Sequence, residues 1–467
     1  MFYNRDTIKF GTDGSMTLFD GFLIAYIVLS VIAVILYMPR MIGFLCAFKK
    51  PPYKRAAVRR KIGIVIPARN ESDVIGDLFA SIGRQDYDGP FDVNVIVKDP
   101  HDPTIRLAEK MGARVLVVPE QTCKGDVLDA FFHALSPEEM QSYDAFVIVD
   151  ADGVLSPTYV RELNNALEWE EYDIFLTRKY MKNCLGDRKK RTVFSNNSAL
   201  TWAMLDDLGN RWRIEQGIPL ALTGQGMMVR RTLIEEIGGW PYRSLTEDYE
   251  LRLDSLIKGF RSFYYPYAVL YTEEAVGHRD NYNRRLRWLT GYAQCDDKYK
   301  KRILEQAKQR GKINKAELEC LFGVYPLAMF AATTIVTMLA GCGLAAFYAT
   351  QGLTAMWVKS LIFLVGMPFG IMYLLLFAYS TLAMIASREA FEVITVGERI
   401  AMLFFSPFYL LEYLPIFIQS RVRAKKHCRL AWEQSERQHY ESAADEAEKA
   451  SETLKKPDGE NDEKKSA

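Results

Sequence analysis

Three long uncharged stretches constrain the fold of this chain most strongly. They cover residues 21–39, 321–358 and 360–387. About 20 consecutive apolar residues are enough to cross a bilayer. In a bilayer, such a stretch must satisfy its backbone hydrogen bonds internally, as a helix does. The sequence therefore predicts transmembrane helices near both ends, and a polar domain between them.

Basic residues follow the first uncharged stretch and indicate its orientation. They are Arg40, Lys49, Lys50, Lys54, Arg55, Arg59, Arg60 and Lys61. The positive-inside rule places residue 40 onward in the cytoplasm and the N-terminus outside. A cleaved signal peptide is the alternative, but no basic segment precedes the stretch and no Ala-x-Ala site follows it. We expect an integral protein of the plasma membrane whose central domain is cytoplasmic.

A fourth apolar stretch, residues 400–420, is less regular. It contains Pro407, Glu412 and Pro415, and basic residues follow it. If it crossed the membrane after two earlier crossings, those basic residues would lie outside, against the positive-inside rule. We therefore expect an interfacial or re-entrant segment.

These observations predict four regions along the chain. Residues 1–48 form an extracytoplasmic N-terminus and a transmembrane helix, and residues 49–300 form a cytoplasmic domain that ends in an interfacial helix. Residues 301–420 hold a linker, further transmembrane helices and the possible interfacial segment. Residues 421–467 form a flexible cytoplasmic tail, first basic and then of mixed charge.

Charge and cysteine usage exclude two classes of protein. The formal net charge of +1 gives no broad basic surface for nucleic acid, so we expect no nucleic-acid partner. The seven cysteines are odd in number and scattered, without the spacing of a zinc site. They indicate reduced thiols facing the cytoplasm rather than a disulfide framework.

The central domain alternates strand and helix patterns. Apolar, β-branched strands are predicted at 62–66, 93–97, 114–118 and 145–149, and helices from 75 and at 104–111, 124–135 and 157–167. Ser156 and Pro157 have the pattern of an N-cap followed by proline in the first helical position. Such alternation predicts an α/β domain with a doubly wound sheet whose ligands bind at the carboxyl ends of the strands.

The fourth predicted strand ends in two acids, Asp150 and Asp152. Alternate side chains at the tip of an extended strand point the same way, so the two carboxylates could share one divalent cation, Mg²⁺ or Mn²⁺. Phosphate oxygens would complete its coordination. A solvated Asp-x-Asp turn is the alternative for so short a pattern.

Polar residues also follow the other predicted strands. Pro67, Arg69 and Glu71 follow the first strand, Asp99 follows the second, and Lys124 opens a later helix. The carboxyl ends of parallel strands meet at one edge of a sheet. We therefore predict that this edge binds a nucleotide, with acids for the ribose and base and a cation for phosphate.

Later motifs resemble those of the membrane-bound family 2 glycosyltransferases, the group of cellulose, chitin and hyaluronan synthases. The resemblance covers about residues 60–295. Its motifs are Thr223-Gly224-Gln225-Gly226, Ile237-Gly238-Gly239-Trp240, Leu245-Thr246-Glu247-Asp248 and Arg284-Arg285-Leu286-Arg287-Trp288. The resemblance implies a nucleotide-diphosphosugar transferase domain of the GT-A fold, flanked by transmembrane helices. It also implies inverting sugar transfer from a nucleotide sugar, most often a UDP-sugar.

The resemblance assigns roles to particular residues. Asp248, with Glu247 beside it, is the catalytic candidate, and an acid in a first helical turn behind the cap Thr246 is favoured in its ionised form. Arg287 is implied to bind the donor diphosphate. Three residues are implied on the acceptor side: Gln225, Arg284 and Trp288. Helical spacing places Arg284, Arg287 and Trp288 on one face, which could also rest on anionic lipid.

Two departures from the family pattern keep the acceptor open. Arg284 stands where processive synthases usually carry glutamine, and Asp99 is followed by Pro100 and His101 rather than small hydroxyl residues. The first hypothesis is a polysaccharide synthase, which with so few spans would need a homo-oligomer or an export partner. The second is single addition to a lipid such as polyprenyl phosphate, diacylglycerol or a ceramide-like acceptor. The third is a catalytically silent scaffold.

Overall fold

The computed structural model describes residues 17–184, 191–323 and 325–425. Most of the predicted extracytoplasmic N-terminus and nearly all of the predicted tail lie outside these residues. The chain divides into two compact units. One comprises residues 1–45 and 318–379, and the other comprises residues 46–317 and 380–467.

The strands of the described residues all belong to one sheet. They are β1 (Ile62–Pro67), β2 (Phe91–Val97), β3 (Arg114–Val117), β4 (Ala145–Ile148), β5 (Val154–Leu155), β6 (Ile174–Met181), β7 (Met227–Arg230) and β8 (Ser262–Thr272). The four predicted strands correspond to β1–β4, with ends that differ by one or two residues.

The helices follow in chain order. They are α1 (Leu18–Gly43), α2 (Ile75–Gly83), α3 (Thr104–Met111), α4 (Lys124–Ala134), α5 (Pro137–Ser142), α6 (Tyr159–Ala166), α7 (Val193–Ala203), α8 (Arg211–Gln216), α9 (Arg231–Ile237), α10 (Glu247–Lys258), α11 (His278–Gln309), α12 (Lys315–Phe322), α13 (Tyr325–Thr350), α14 (Thr354–Lys359), α15 (Met367–Ala386), α16 (Val396–Leu411) and α17 (Tyr413–Lys425). Short π-helical turns at Met204–Asn210 and Ser360–Gly366 continue α7 and α14.

Four helical segments in the described part of the chain are long and apolar enough to cross a membrane. They are Leu18–Phe48, Lys315–Thr350, Thr354–Ala386 and Val396–Lys425. The first three coincide with the predicted spans. The fourth contains the stretch predicted to be interfacial, and its helix is interrupted at Glu412 between α16 and α17. Its length permits a crossing, so the interfacial placement stays a prediction.

The first unit contains α1 packed against α13. Thr17 and Asp20 cap the start of α1 reciprocally, because each backbone N–H donates to the other side chain, at 3.1 and 3.2 Å. Near the other end, the Arg40 guanidinium pairs with Glu319 at 2.8 Å. Large apolar side chains of α1 such as Ile35 and Leu36 are more than half exposed, as lipid-facing residues are.

The second unit is built on the sheet, whose strand order is β3-β2-β1-β4-β7-β6-β8-β5. Strands β3, β2, β1 and β4 are parallel, as predicted. Strand β7 pairs antiparallel with both β4 and β6, and β6 pairs parallel with β8, so the α/β sheet is mixed beyond β4. The turn that carries Gln225 leads into β7 from the carboxyl end of β4, and β7 therefore runs back along it.

Apolar side chains cover both faces of the sheet. Ile64 and Val147 belong to one core cluster, whereas Val65 and Ile148 belong to the other. This explains why β1 and β4 are continuous apolar runs rather than alternating ones. Because both faces of the sheet are buried, polar side chains that a ligand can reach lie at the ends of the strands.

Helix α6 begins later than predicted. Ser156 and Pro157 do not cap it, because the helix starts at Tyr159. The Ser156 N–H donates to the Val269 carbonyl at 3.0 Å, and the Pro157 carbonyl accepts from the Asp86 N–H at 2.7 Å. These tertiary hydrogen bonds hold the two residues in a turn ahead of the helix.

Candidate active site

The loop after β1 is tied to the loop after β2 at the carboxyl edge of the sheet. Asn70 adopts a left-handed backbone conformation, with φ of 55°, and its N–H donates to Asp102 at 2.8 Å. Asp102 also accepts from the Thr104 N–H at 2.9 Å and is buried. The predicted contacts Arg69 and Glu71 flank Asn70, so Asp102 holds the segment that carries them.

Asp102 was missed by the sequence analysis, which selected Asp99 instead. Asp99 is exposed, and its carboxylate accepts from the His101 N–H at 2.8 Å within its own turn. The signal for Asp102 is its position two residues before Thr104, the first residue of α3, where an aspartate commonly binds the backbone of the helix start.

Lys124 and Asp150 form the centre of the site. The Lys124 ammonium donates to Asp150 Oδ1 at 2.6 Å and to the Gly224 carbonyl at 2.8 Å, and lies 3.9 Å from Glu247 Oε1. Burial alone would lower the pKa of Lys124, but the carboxylates of Asp150 and Glu247 outweigh it and raise that pKa. Lys124 is thus charged and joins the end of β4 to the start of α10.

Asp152 lies on the same turn as Asp150 but is buried, with 7% of its surface exposed. The Lys182 ammonium donates to its backbone carbonyl at 3.2 Å. Within the described ranges, no three His, Cys, Asp or Glu side chains are grouped to hold a metal ion. The two carboxylates are oxygen donors of the kind that Mg²⁺ and Mn²⁺ prefer, and they fit a cation that takes its remaining ligands from phosphate and water.

The turn before β7 brings Gly224 and Gln225 against these groups. A Cβ on Gly224 would lie 2.9 Å from Glu247 Oε1 and 3.2 Å from Lys124 Nζ, so a side chain there would crowd both. Gln225 is buried, and its Oε1 accepts from the Thr272 hydroxyl at 2.6 Å. Its amide nitrogen faces Gly153, beside the turn that carries Asp150 and Asp152.

Glu247 and Asp248 start α10. Burial raises the pKa of Glu247 to about 7, and burial likewise raises the pKa of Asp248. Asp248 remains half-exposed, whereas Glu247 is buried. Thr246 occupies the N-cap position as predicted, but its side chain makes no capping hydrogen bond. It packs instead on α11, where its hydroxyl lies 3.9 Å from Cys295 Sγ.

Helix α11 presents the predicted arginines and tryptophan to this region. Burial, and then the neighbouring Arg284 guanidinium, lower the pKa of Arg287, against the opposing influence of the site carboxylates. Arg284 itself donates to the Glu273 carbonyl at 3.0 Å and lies 3.4 Å from Glu274 Oε2. Trp288 is half-buried. Arg287 therefore interacts electrostatically with the carboxylates of Asp150 and Glu247, which Lys124 also contacts.

Arg243 and the Gly-Gly-Trp motif fix α4, which carries Lys124; the sequence pattern indicates the motif but not Arg243. Arg243 pairs with Asp126 at 2.8 Å and with Asp129 at 2.6 Å. Trp240 of the Gly-Gly-Trp motif is fully buried, and its backbone N–H donates to Asp129 Oδ1 at 2.8 Å. The motif therefore acts through packing: it holds the helix from which Lys124 reaches Asp150.

Helices α16 and α17 lie on the other side of α11. Arg285 is buried between the rings of Tyr409 and Tyr413, 4.4 and 4.9 Å from their centroids, and pairs with Glu412. Further along, Arg421 pairs with Asp296 at 2.9 Å. Charge pairs thus join α11 to the fourth apolar segment.

The mixed sheet, with its acids, lysine and arginine gathered at one edge, is of the GT-A type. Residues 145–414, more than half of the chain, match the family model described as Glycosyl transferase family group 2. The chain therefore belongs to that family of glycosyltransferases.

Individual relatives are distant. The probable glycosyltransferase YdaM of Bacillus subtilis (strain 168) is 23% identical over 239 residues, which are 50% of this chain and 55% of that protein. Among solved structures, the mannosyltransferase PcManGT from Pyrobaculum calidifontis, in complex with GDP-Man and Mn²⁺, is 20% identical over 79% of this chain and 98% of its own, with a TM-score of 0.48. S. aureus TarS 1-349 in complex with UDP-GlcNAc is 14% identical over 64% of this chain and 90% of its own, with a TM-score of 0.32.

Proposed function

We propose that this chain transfers a sugar, with inversion, from a nucleotide sugar to a glycan acceptor at a membrane, and so extends a polysaccharide. A UDP-sugar is the donor we expect. The observation that carries the proposal is the cluster at the sheet edge, where Lys124 bridges Asp150 to Glu247, the neighbour of Asp248 at the start of α10. In this proposal, Asp150 is a donor-side group and the acids of α10 serve the acceptor, and one ammonium would hold the two sides together.

In this proposal Asp248 is the general base. The acceptor hydroxyl oxygen attacks the anomeric carbon, its proton passes to the Asp248 carboxylate, and the bond from that carbon to the diphosphate oxygen breaks. Asp248 is half-exposed at the site, and its raised pKa makes it a stronger base than an ordinary aspartate. Glu247 is buried beside Lys124 and supports the charge of the site rather than touching the acceptor.

Cationic groups would balance the departing diphosphate. Arg287 and Lys124 would take this role, since the carboxylates of the site act on the pKa of both. Asp150 and Asp152 would hold Mg²⁺ or Mn²⁺, which neutralises diphosphate charge when bound. On the donor side, Pro67, Arg69, Glu71 and Asp99 would contact the nucleotide from the loops after β1 and β2.

The fourth apolar segment supports a site at the membrane surface. Val396, Ile400, Phe404 and Phe408 follow one another every four residues along α16, and each is at least half exposed. The opposite face of α16 packs on α7. The charge pairs between α11 and α17 would be costly in hydrocarbon, which favours the interfacial placement on the cytoplasmic side.

Transfer to a lipid acceptor is the second candidate function. Helix α11 carries Trp288, and the same helix is joined by ion pairs to the fourth apolar segment. A single sugar would then be added to a polyprenyl phosphate, diacylglycerol or ceramide-like lipid lying beside α11. The polysaccharide version differs in needing a path for the product, for which a homo-oligomer or an export partner would be required.

The test is nucleoside diphosphate release by the purified full chain in lipid nanodiscs, across UDP- and GDP-sugars with Mg²⁺ or Mn²⁺. Asp150→Asn is the matched control. Release with one donor and a long glycan supports the polysaccharide proposal, whereas a product of lipid size supports the second candidate. No release above that of Asp150→Asn, with any donor, would overturn both.

A further inference from the structure

Two tryptophans meet at right angles beside the site, and the proposed chemistry uses only one of them. Trp202 lies near the end of α7 and Trp288 lies on α11. Their ring centroids are 5.8 Å apart, and the ring planes cross at 71°. Both residues are half-buried, so each keeps part of its ring accessible. The pair forms a corner with two apolar walls.

A buried carboxylate holds Trp202 in this position. Glu274 is only 3% exposed, and its Oε1 accepts from the Trp202 indole N–H at 3.1 Å. Its Oε2 accepts from the Ser198 hydroxyl at 2.8 Å and lies 3.4 Å from the Arg284 guanidinium. Burying a carboxylate is costly unless it is paired and hydrogen-bonded. The contacts of Glu274 meet that requirement and fix the orientation of the indole.

The backbone of Glu274 is fixed as well. Its N–H donates to Asn183 Oδ1 at 2.9 Å, and its carbonyl accepts from Asn183 Nδ2 at 3.0 Å. This segment joins β8 to α11, the helix of Trp288. Glu274 therefore links the two walls. It binds the Trp202 ring by a hydrogen bond, and its charge attracts Arg284, which lies one helical turn before Trp288 on α11.

The chemistry left to Trp202 is that of a flat apolar surface. Its indole N–H, the only polar group of the ring, is committed to Glu274. The Lys179 ammonium lies 5.4 Å from the ring centroid, over one face, and is itself buried in a 3.0 Å pair with Asp206. A ligand that meets Trp202 therefore gains apolar contact from the ring rather than a hydrogen bond. The carbon-bound hydrogens on one face of a hexose ring suit such a surface.

We propose that Trp202 is a further contact for the hexose ring of the acceptor, beside Trp288, and that Glu274 is the positioning residue of this Trp202 wall. This inference rests on the proposed function, because it takes the sugar acceptor from there. The ring can belong to the end of a free glycan or to a glycolipid head group. Glu274 touches no reacting atom and acts through Trp202.

The experiment measures binding of defined sugars to the full chain in nanodiscs by calorimetric titration. The probes are cellotetraose, chitotetraose and mannotetraose as free glycans, and octyl β-glucoside as a lipid-linked hexose. We expect the wild type to bind at least one of them. Trp202→Ala should weaken that binding about tenfold, the loss expected for one well-packed aromatic contact. Trp202→Phe should retain most of it, because a ring face remains.

The role of Glu274 is tested by a double-mutant cycle. If Glu274 acts through Trp202, then Glu274→Ala should weaken sugar binding as much as Trp202→Ala does, and the double variant should be no weaker than either. Nucleoside diphosphate affinity should stay within about twofold in all three. Trp169→Ala, which removes another tryptophan that carries a lysine over its ring, is the matched control and should leave sugar binding unchanged.

Several outcomes would overturn the inference. They are the absence of binding of any probe to the wild type, unchanged binding in Trp202→Ala, additive losses in the double variant, and equal loss of nucleotide affinity. Sugar binding needs no turnover, whereas the proposed function is judged by diphosphate release. A failure of the Trp202 contact is therefore distinguishable from a failure of the proposed reaction.

Discussion

Replacing Gly125 with alanine should misplace Lys124 without touching its side chain. Gly125 is the second residue of α4, and a Cβ there would lie 1.8 Å from the Tyr242 carbonyl oxygen. A comfortable contact needs about 3.5 Å, so α4 and the loop at Tyr242 must separate by about 1.7 Å. The obstacle is backbone, and no change of side-chain rotamer can relieve it.

The size of the effect follows from that displacement. Misplacement of a site by about 1 Å can cost about 10²-fold in rate, and overpacking costs about 1–3 kcal/mol in stability. We therefore expect Gly125→Ala to lower kcat for diphosphate release about 10²-fold or more, and to lower Tm by a few degrees. The assay is initial-rate kinetics in nanodiscs, with a thermal-shift measurement on the same samples.

Gly76→Ala is the matched control. Gly76 lies in α2 of the same domain, and a Cβ there meets nothing within 4 Å. That substitution should be neutral or stabilising by about 0.5–1 kcal/mol, since alanine is the better helix former. Full activity and an unchanged Tm in Gly125→Ala would refute the claim that the Tyr242 loop positions Lys124.

Three further results are expected. Asp248→Asn should lower kcat by about 10²–10⁴-fold with nucleotide affinity within twofold, and an active variant would remove Asp248 as the base. Burial raises the pKa of Glu247 from 4.5 to about 7, so between these pH values the folded protein keeps a proton that the unfolded chain loses. The free energy of unfolding, relative to that of Glu247→Gln, should therefore fall by about 3 kcal/mol as pH rises through that range. A difference in Tm that does not change with pH would contradict this. Trp240→Ala should destabilise by about 3–5 kcal/mol, as for a large core residue, and a Tm equal to that of the wild type would show that Trp240 is not part of the core.

The elements that the sequence predicts well are those whose signal is local. Strands β1 and β4 are runs of β-branched residues buried on both faces, and the first three apolar spans are long and free of charge. Asp150 and Lys124 could likewise be placed at the site, because each stands at the end or start of a well-marked element. These patterns can be recognised from residues that are close to one another in the sequence.

The features that the sequence analysis missed depend on contacts between distant residues. Thr246 looks like an N-cap, yet its side chain is taken up by packing against α11. Glu274 lies 72 positions from Trp202, and nothing in the spacing of either indicates that they bind each other. The orientation of β7 is also set by tertiary pairing, since a four-residue strand carries no signal for its direction.

The anomeric configuration of the product tests the central claim most directly. The chain, in nanodiscs, would be supplied with an α-configured nucleotide sugar labelled with ¹³C at the anomeric carbon, and the product examined by NMR. The account predicts a β-linked product whose formation is lost in both Asp150→Asn and Asp248→Asn. An α-linked product, or a β-linked product formed at the wild-type rate by Asp248→Asn, would contradict it.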